Sequence, residues 1–309
     1  MSLTLRVVAS LALATVPLIA GCSSSSTPAP PAHTQQLYVT DASAQAIYVF
    51  PLTATGAAAP TRTIQGTLTT LASPFGIAVD SAGNIYVANE TGNDVLEFAA
   101  NANGNVAPIR TIGGAATGFI DVRGIAVDGS GNIYVSDTSA PAIWIFTAAQ
   151  SGNVAPTASI TGALTTLSFP GGVAVDSSGK VYVGDQGDTA ILEWNPAHTG
   201  NVAPDNSITG VTEAYGLQVA NGNIYTGGQG AGAIFVFPVG ATGAAIPSQL
   251  ITGAATTLSV ATRGAAADAA GNIYAASGNV VKFTAGATGN VAPATTLTVP
   301  TTSEGVTVF

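Results

Sequence analysis

The chain has 309 residues, of which 47% are hydrophobic and only 7% are charged, and its formal net charge is −9. Ordinary soluble domains carry about 25% charged residues, so this composition fits a membrane protein or a fold that buries nearly all of its regular structure. No apolar run after residue 22 approaches the ~18 residues of a membrane-spanning helix, which excludes the first class for the body of the chain. With 7 basic against 16 acidic residues and no basic cluster, nucleic acid is excluded as a partner.

Residues 1–21 are predicted to be a signal peptide. Arg6 supplies a positive charge, and residues 7–20 form a short apolar segment. The following Ile19-Ala20-Gly21-Cys22 resembles the lipobox of bacterial lipoproteins. The resemblance implies that Cys22 is lipidated and becomes the mature N-terminus, anchored by several acyl chains such as palmitate. Cys22 is the only cysteine, so a disulfide is excluded.

Residues 22–35 comprise this cysteine and a Ser/Pro-rich segment that cannot form a core, so we expect a tether. Ser23, rather than aspartate, follows the cysteine. In Gram-negative lipoproteins this pattern resembles sorting to the outer membrane. We therefore expect an exported protein that is held to a bacterial membrane through its lipid, at the outer membrane if the host is Gram-negative.

Six repeats fill residues 36–309. A tyrosine segment such as IYVAN (residues 85–89) recurs with spacings of 48, 48, 48, 43 and 49 residues between its tyrosines. A second series, of the type GNVAP (residues 104–108), also has six members. Because two series recur with one period, a repeat architecture is predicted. The tyrosines are Tyr38, Tyr86, Tyr134, Tyr182, Tyr225 and Tyr274.

Each repeat contains four strand-like runs. The first starts with glycine, as in GIAVD (residues 76–80), the second holds the tyrosine, the third ends in an aromatic residue, and the fourth follows the proline. Asp80 and Gly83 suit a tight turn between the first two runs. Proline lacks an N–H group, which assigns the fourth strand to an edge. Four antiparallel strands in roughly 40–50 residues are typical of a propeller blade, so the sequence predicts an all-β, six-bladed β-propeller.

The two ends of the repeat region are predicted to share one blade. The first repeat begins at its second strand, whereas residues 304–309 match a first strand. We therefore expect the C-terminal strand to join the N-terminal blade and to close the ring.

The unit resembles a known repeat family. Residues 76–98 and 124–146 carry Gly-Ile-Ala-Val-Asp, a turn with Gly-Asn, an Ile-Tyr-Val strand and an apolar run that ends in phenylalanine. This pattern resembles the NHL repeat and, more loosely, the YVTN-type propeller repeats. The resemblance covers residues 36–309 and implies a propeller, but no single function, because NHL-type propellers include binding modules, sensors and enzymes.

A ligand site is predicted on one face of the propeller. Loop lengths vary on that face and are nearly constant on the other, and binding residues lie preferentially on loops over a rigid scaffold. The residue before each first-strand glycine should face the mouth of the axial channel there. We expect the arginines among these residues to take an anionic or hydroxylated group between aromatic walls. Two alternatives to a ligand site remain. The loop lengths could vary by neutral drift, and the residues at the mouth could plug the channel through an Arg–Glu pair. The candidates are Phe75, Arg123, Glu213, Tyr215, Arg263 and Glu304, with Asp121 close by.

The ends of the second strands offer a weaker set of candidates, for Ca²⁺. Carboxylates around a channel can hold this ion. The alternative is that these side chains cap the following loops by accepting bonds from backbone N–H groups. No other cofactor is expected. The residues are Asp41, Asn89, Asp137 and Asp185.

Two function classes follow. The first is a monomeric binding or scaffold propeller at the cell envelope, with an envelope protein or a glycan-like ligand as its partner. The second is a metal-dependent hydrolase or lyase, similar to the lactonase propellers, with its site at the channel mouth. The sequence argues against an enzyme, because His33 lies in the tether and His198 precedes a turn, which leaves no placed histidine for a zinc site or a catalytic triad.

Overall fold

A computed structural model describes residues 34–309. Six four-stranded antiparallel sheets follow one another along this part of the chain. The innermost strand of each sheet packs against the innermost strands of the two neighbouring sheets, and this series closes into a ring. The predicted six-bladed β-propeller is therefore confirmed.

The four strands of each blade keep the same order from the axis outwards. The innermost strands are β4 (Pro74–Val79), β8 (Val122–Val127), β12 (Pro170–Val175), β16 (Ala214–Ala220), β20 (Gly264–Ala267) and β24 (Ser303–Val308). The second strands are β1 (Gln36–Asp41), β5 (Ile85–Asn89), β9 (Ile133–Asp137), β13 (Val181–Asp185), β17 (Asn223–Gly228) and β21 (Ile273–Ser277). The third strands are β2 (Ala46–Pro51), β6 (Asp94–Phe98), β10 (Ala142–Phe146), β14 (Ala190–Trp194), β18 (Ala233–Pro238) and β22 (Asn279–Phe283). The outermost strands are β3 (Arg62–Gln65), β7 (Arg110–Gly113), β11 (Ala158–Thr161), β15 (Asn206–Thr209), β19 (Gln249–Thr252) and β23 (Thr295–Leu297).

We number the blades 1 to 6 along the chain. Blade 1 consists of β1–β3 and β24, blade 2 of β4–β7, blade 3 of β8–β11, blade 4 of β12–β15, blade 5 of β16–β19 and blade 6 of β20–β23. The upper face is the end at which the innermost strands begin, and the lower face is the opposite end. Short 3-10 helices lie in four of the crossovers that link one blade to the next on the upper face. They are Thr67–Thr69, Ala115–Thr117, Ala163–Thr165 and Ala254–Thr256.

The hydrophobic core lies between blades rather than within one layer. One cluster, for example, joins Val49 and Ile64 of blade 1 to Ile85, Leu96 and Phe98 of blade 2. Both surfaces of the middle strands are therefore covered, and strand β5 is buried at every residue. This arrangement explains why so few charged residues are needed in the repeats.

The C-terminal strand closes the ring as predicted. β24 pairs antiparallel with β1, with Val308 opposite Leu37 and Val306 opposite Val39. The strand starts at Ser303, one residue before the position expected from the repeat pattern. Blade 1 is therefore built from both ends of the described chain.

Glycine begins the GIAVD-type segments because neighbouring innermost strands approach closely there. A Cβ on Gly76 would lie 2.5 Å from the carbonyl oxygen of Arg123, and one on Gly124 would lie 2.6 Å from that of Gly171. Gly264 is the exception, with its nearest neighbouring atom 3.7 Å away. The glycines therefore let the blades converge on a narrow axis.

The GNVAP-type segments bind each blade to the preceding one through hydrogen bonds. Gly104 of blade 2 donates its N–H group to Thr63 of blade 1 (2.6 Å), and Asn105 accepts a bond from the N–H group of Leu68 (2.7 Å). Equivalent parallel bridges join all six pairs of neighbouring blades. The fourth strand is an edge strand of its sheet, as predicted, although each proline lies two residues before that strand and the next blade's loop covers the edge. The prolines are Pro60, Pro108, Pro156, Pro204, Pro247 and Pro293.

Candidate functional site

The mouth of the axial channel lies on the upper face, where the innermost strands begin. One cavity at this end is lined by residues from all six blades, including every residue that precedes a first-strand glycine. Its volume is about 50 Å³, and one water molecule requires about 10–15 Å³. The cavity therefore holds a few water molecules, and a larger ligand has to bind above it. The six residues are Phe75, Arg123, Gly171, Tyr215, Arg263 and Glu304.

Arg123 crosses the mouth and is held by three side chains. It donates to the Tyr215 hydroxyl at 2.5 Å and forms ion pairs with Glu90 (2.8 Å) and Asp121 (3.4 Å). Burial lowers the pKa of Arg123, but Tyr215, Glu90 and Asp121 outweigh burial and raise this pKa above its usual value. Arg123 is therefore a fixed cation whose charge is already neutralised.

Arg263 enters the mouth from blade 6 and pairs with Glu304 of blade 1. Its guanidinium lies 5.8 Å from the centre of the Phe75 ring, and the guanidinium of Arg123 lies 5.2 Å from the same centre. The Tyr215 ring also contacts Phe75, with 5.2 Å between ring centres. The two cations and the two aromatic rings thus form one cluster, and the predicted Arg–Glu pair is present.

Within residues 34–309, two buried donors near the mouth have no hydrogen-bond acceptor. They are Nε of Arg263 and Nε2 of Gln186. The Gln186 side chain lies against Gly171, since a Cβ on that glycine would come 2.5 Å from Nε2. An unsatisfied buried donor costs about 1–3 kcal/mol, so a side-chain movement that brings either N–H group to an acceptor would be favourable.

Glu213 is placed differently from the other candidates. It lies on the crossover into blade 5 and does not line the cavity. Its backbone has a left-handed φ of 46°, and its carboxylate lies over Gly230. Glu90 and Gln186 do not line the cavity either, but each contacts a residue that does, Arg123 and Gly171 respectively, and both were missed by the sequence reasoning. Both directly follow a second strand, at a position where the repeats differ from one another, and this variation was the available signal.

A family model described as a β-propeller repeat (SBBP) matches residues 62–97. The chain is a β-propeller. No curated protein sequence matches it significantly.

Several solved structures share the fold. A protein of unknown function from Bacteroides caccae has a TM-score of 0.62 and 10% identity, with 89% of this chain and 99% of that chain covered. The nidogen/laminin complex has a TM-score of 0.63 and 14% identity, with 89% and 98% covered. A catalytically inactive virginiamycin B lyase from Staphylococcus aureus with quinupristin has a TM-score of 0.54 and 11% identity, with 82% and 83% covered. At these identities the similarity of the propeller shows the fold and no function.

The side chains at the ends of the second strands act as loop caps. Asp137 accepts bonds from the N–H groups of Ile120 (2.7 Å), Asp121 (3.0 Å) and Ala140 (2.9 Å). Asp185 does the same in blade 4. Asn89 and Asp41 bond the crossovers that enter blades 2 and 1. They cap separate crossovers, and residues 34–309 contain no group of three or more His, Cys, Asp or Glu side chains placed for a metal.

Cys22 and His33 lie outside the described residues, as do the predicted signal peptide and nearly all of the tether. Within residues 34–309, no helix is both long enough and apolar enough to span a bilayer.

Proposed function

We propose that this propeller is a non-catalytic binding module that holds a partner protein of the cell envelope on its upper face. The observation that carries the proposal is the pair of buried, unpartnered donors on Arg263 and Gln186. A ligand that supplies acceptor oxygens to these N–H groups would replace two unsatisfied groups by hydrogen bonds.

The charges at the mouth favour a neutral acceptor. The cation of Arg123 is paired with Glu90 and Asp121, and that of Arg263 is paired with Glu304. Three carboxylates against two guanidiniums give no attraction for an anion. Backbone carbonyl groups of a partner's loop are neutral acceptors and match the two free donors.

Apolar side chains surround this polar centre. Ile120 is 62% exposed, Phe169 is 39% exposed, and Val260 is 69% exposed, and all three lie on crossovers just before innermost strands. Exposed apolar groups that lie together are typical of protein-binding surfaces. The partner's loop would therefore bury these side chains while its carbonyl groups bind at the mouth.

The family of the repeats and the address of the protein are also part of the proposal. We infer NHL-like repeats on the GIAVD and IYVAN patterns, export through residues 1–21, and an outer-membrane location in a Gram-negative host.

The alternative, a lyase or hydrolase, finds less support. The similar virginiamycin B lyase is a catalytically inactive variant that carries alanine in place of a histidine. His198 is the single histidine within residues 34–309. It pairs with Asp205 at 2.8 Å in the loop after β14, away from the channel mouth. Stoichiometric bound metal, together with a thermal shift on adding EDTA, would favour the enzyme instead.

Site-specific photocrosslinking tests the proposal. A photoreactive residue replaces Phe169 in one full-length variant and Ile246, which is 89% exposed on the outer rim, in a matched control. We expect a discrete protein adduct in cells from position 169 and not from position 246, and we expect Gln186→Leu to weaken it. Equal labelling at both positions, or an adduct removed by glycosidases, would overturn the assignment to a protein partner.

A further inference from the structure

On the lower side of the propeller, Arg62 lies in the groove between blades 1 and 2, at the start of strand β3. Its guanidinium lies 5.8 Å from the centre of the Tyr38 ring and bonds the side-chain oxygen of Gln36 at 3.2 Å. It also donates to the carbonyl groups of Ala100 (2.6 Å) and Ala102 (3.3 Å) in the next blade. One arginine thus joins two blades through a tyrosine and two loop carbonyls.

The same arrangement recurs between blades 2 and 3. Arg110 lies 5.7 Å from the centre of the Tyr86 ring and donates to the carbonyl groups of Ala148 (2.6 Å) and Gln150 (3.1 Å). Here the arginine also pairs with Glu97. Since Val49 stands opposite Arg62 in blade 1, a carboxylate is not required for a guanidinium to be held in the groove.

Between blades 5 and 6 the arginine is replaced by a glutamine. Gln249 starts strand β19 and pairs with Val236, as Arg62 starts β3 and pairs with Val49. Asn223 and Tyr225 stand where blade 1 has Gln36 and Tyr38. Ala285 and Ala287 occupy the loop positions of Ala100 and Ala102. The acceptors that surround Arg62 are therefore repeated here without the arginine.

This groove is open. It has a volume of about 310 Å³, within the range of about 300–1,000 Å³ that is typical of ligand clefts. The shortness of Gln249 and the small residues of the blade 6 turn leave this space. The groove is lined by Asn221, Asn223, Tyr225, Gln249, Ala269, Ala270, Gly271, Ala285 and Gly286.

Two polar groups in the groove have no partner within residues 34–309. The side-chain oxygen of Gln249 is buried and accepts no hydrogen bond. The hydroxyl of Tyr225 also makes none, because Ala220 stands where the turns of blades 2, 3, 4 and 6 have aspartate. In blade 2, by comparison, the Tyr86 hydroxyl donates to Asp80 at 3.0 Å. Blade 5 therefore repeats the positions of the acceptors around Arg62 without a guanidinium among them, while its Tyr225 ring is buried (2% exposed).

We propose that the groove between blades 5 and 6 binds a guanidinium group, either of a free small molecule or of an arginine side chain. A planar, forked donor matches the carbonyl and amide oxygens around the groove. The internal arginines of blades 1 and 2 show the binding geometry. The net charge of −9 favours the approach of a cation.

Titration of the ¹⁵N-labelled full-length chain with agmatine tests the proposal. We expect shifts of the amide resonances of Gly271 and Gly286, with an affinity of about 1 mM, which is typical of a single small group. Gln249→Arg should abolish these shifts because the new side chain fills the groove. Arg62→Gln should create a second site between blades 1 and 2, reported by the amides of the loop around Ala100. Circular dichroism checks that both variants fold.

Two further titrations distinguish a free small molecule from an arginine side chain as the source of the guanidinium. An arginine tripeptide with blocked ends that binds more tightly than agmatine indicates a protein ligand, whereas weaker binding indicates a free compound. The corresponding lysine tripeptide should bind several-fold more weakly, since an ammonium group cannot fork between two carbonyls. Absence of agmatine shifts in the native chain, or their persistence in Gln249→Arg, would overturn the proposal.

Discussion

Arg263 of blade 6 forms an ion pair with Glu304 of blade 1 at the channel mouth. The Glu304 side chain is only 7% exposed, and that of Arg263 is 27% exposed. Glu304 lies on β24, the strand that closes the ring, so this pair joins the last blade to the first at the axis. The same two residues thus belong both to the proposed binding surface and to ring closure.

Removal of one partner of this pair should destabilise the protein. Arg263→Met leaves a buried carboxylate without its cation, so we expect a loss of about 2–3 kcal/mol in the free energy of unfolding. The double variant Arg263→Met/Glu304→Gln should recover most of this loss, because no uncompensated charge remains. Denaturant unfolding of the two single variants and the double variant gives the coupling energy. Additive single effects would contradict an energetic role for the pair.

Deletion of residues 304–309 should open the ring. The deletion removes nearly all of β24, its pairing with β1 and the buried Val308 side chain. We expect the melting temperature to fall by at least about 10 °C, since each 1 kcal/mol corresponds to about 2–4 °C in a domain of this size class. Thermal unfolding followed by circular dichroism measures the change. An unchanged melting temperature would refute closure by the C-terminal strand.

Alanine at Gly76 should be far more damaging than alanine at Gly264. A Cβ at position 76 would lie 2.5 Å from the carbonyl oxygen of Arg123, whereas at position 264 the nearest atom is 3.7 Å away. We expect Gly76→Ala to cost about 1–3 kcal/mol and Gly264→Ala less than about 0.5 kcal/mol. Urea unfolding of both variants checks this. Equal effects would show that close approach does not explain the repeated glycine.

Stability should fall as the pH rises above 10. Burial, assisted by Asp128, raises the pKa of Tyr134 to about 12, and the pKa values of Tyr86, Tyr182 and Tyr274 are raised as well. In the unfolded chain these hydroxyls ionise near pH 10, so above that pH the folded state retains more protons and its stability decreases. This stabilisation is complete below about pH 10 and is lost as the pH passes through the folded pKa values.

Tyrosinate absorbance and denaturant unfolding between pH 9 and about 12 measure the two effects. Asp128→Asn provides a specific comparison, because it removes the charge that helps to keep Tyr134 protonated and should lower the pKa of that residue. Titration of all tyrosines near pH 10 in the folded protein would contradict the expectation.

The sequence determined the number of blades, the order of their strands and the closure of the ring. These features depend on local sequence patterns that recur from repeat to repeat, such as the tight turn at Asp80 and its equivalents and the apolar runs of strand length. Phe75, Arg123, Tyr215, Arg263 and Glu304 could also be assigned to one mouth, since a propeller brings equivalent positions together around its axis. Their capacity to bind a ligand stays a prediction.

Only the tertiary structure decided what these residues contact. Glu90 reaches Arg123 from the end of a neighbouring second strand, and the amide nitrogen of Gln186 lies against Gly171 without an acceptor within residues 34–309. The empty groove at Gln249 likewise depends on residues of two blades. Such contacts are set by side-chain packing between blades, and the repeat pattern carries no information about them because it describes each blade separately.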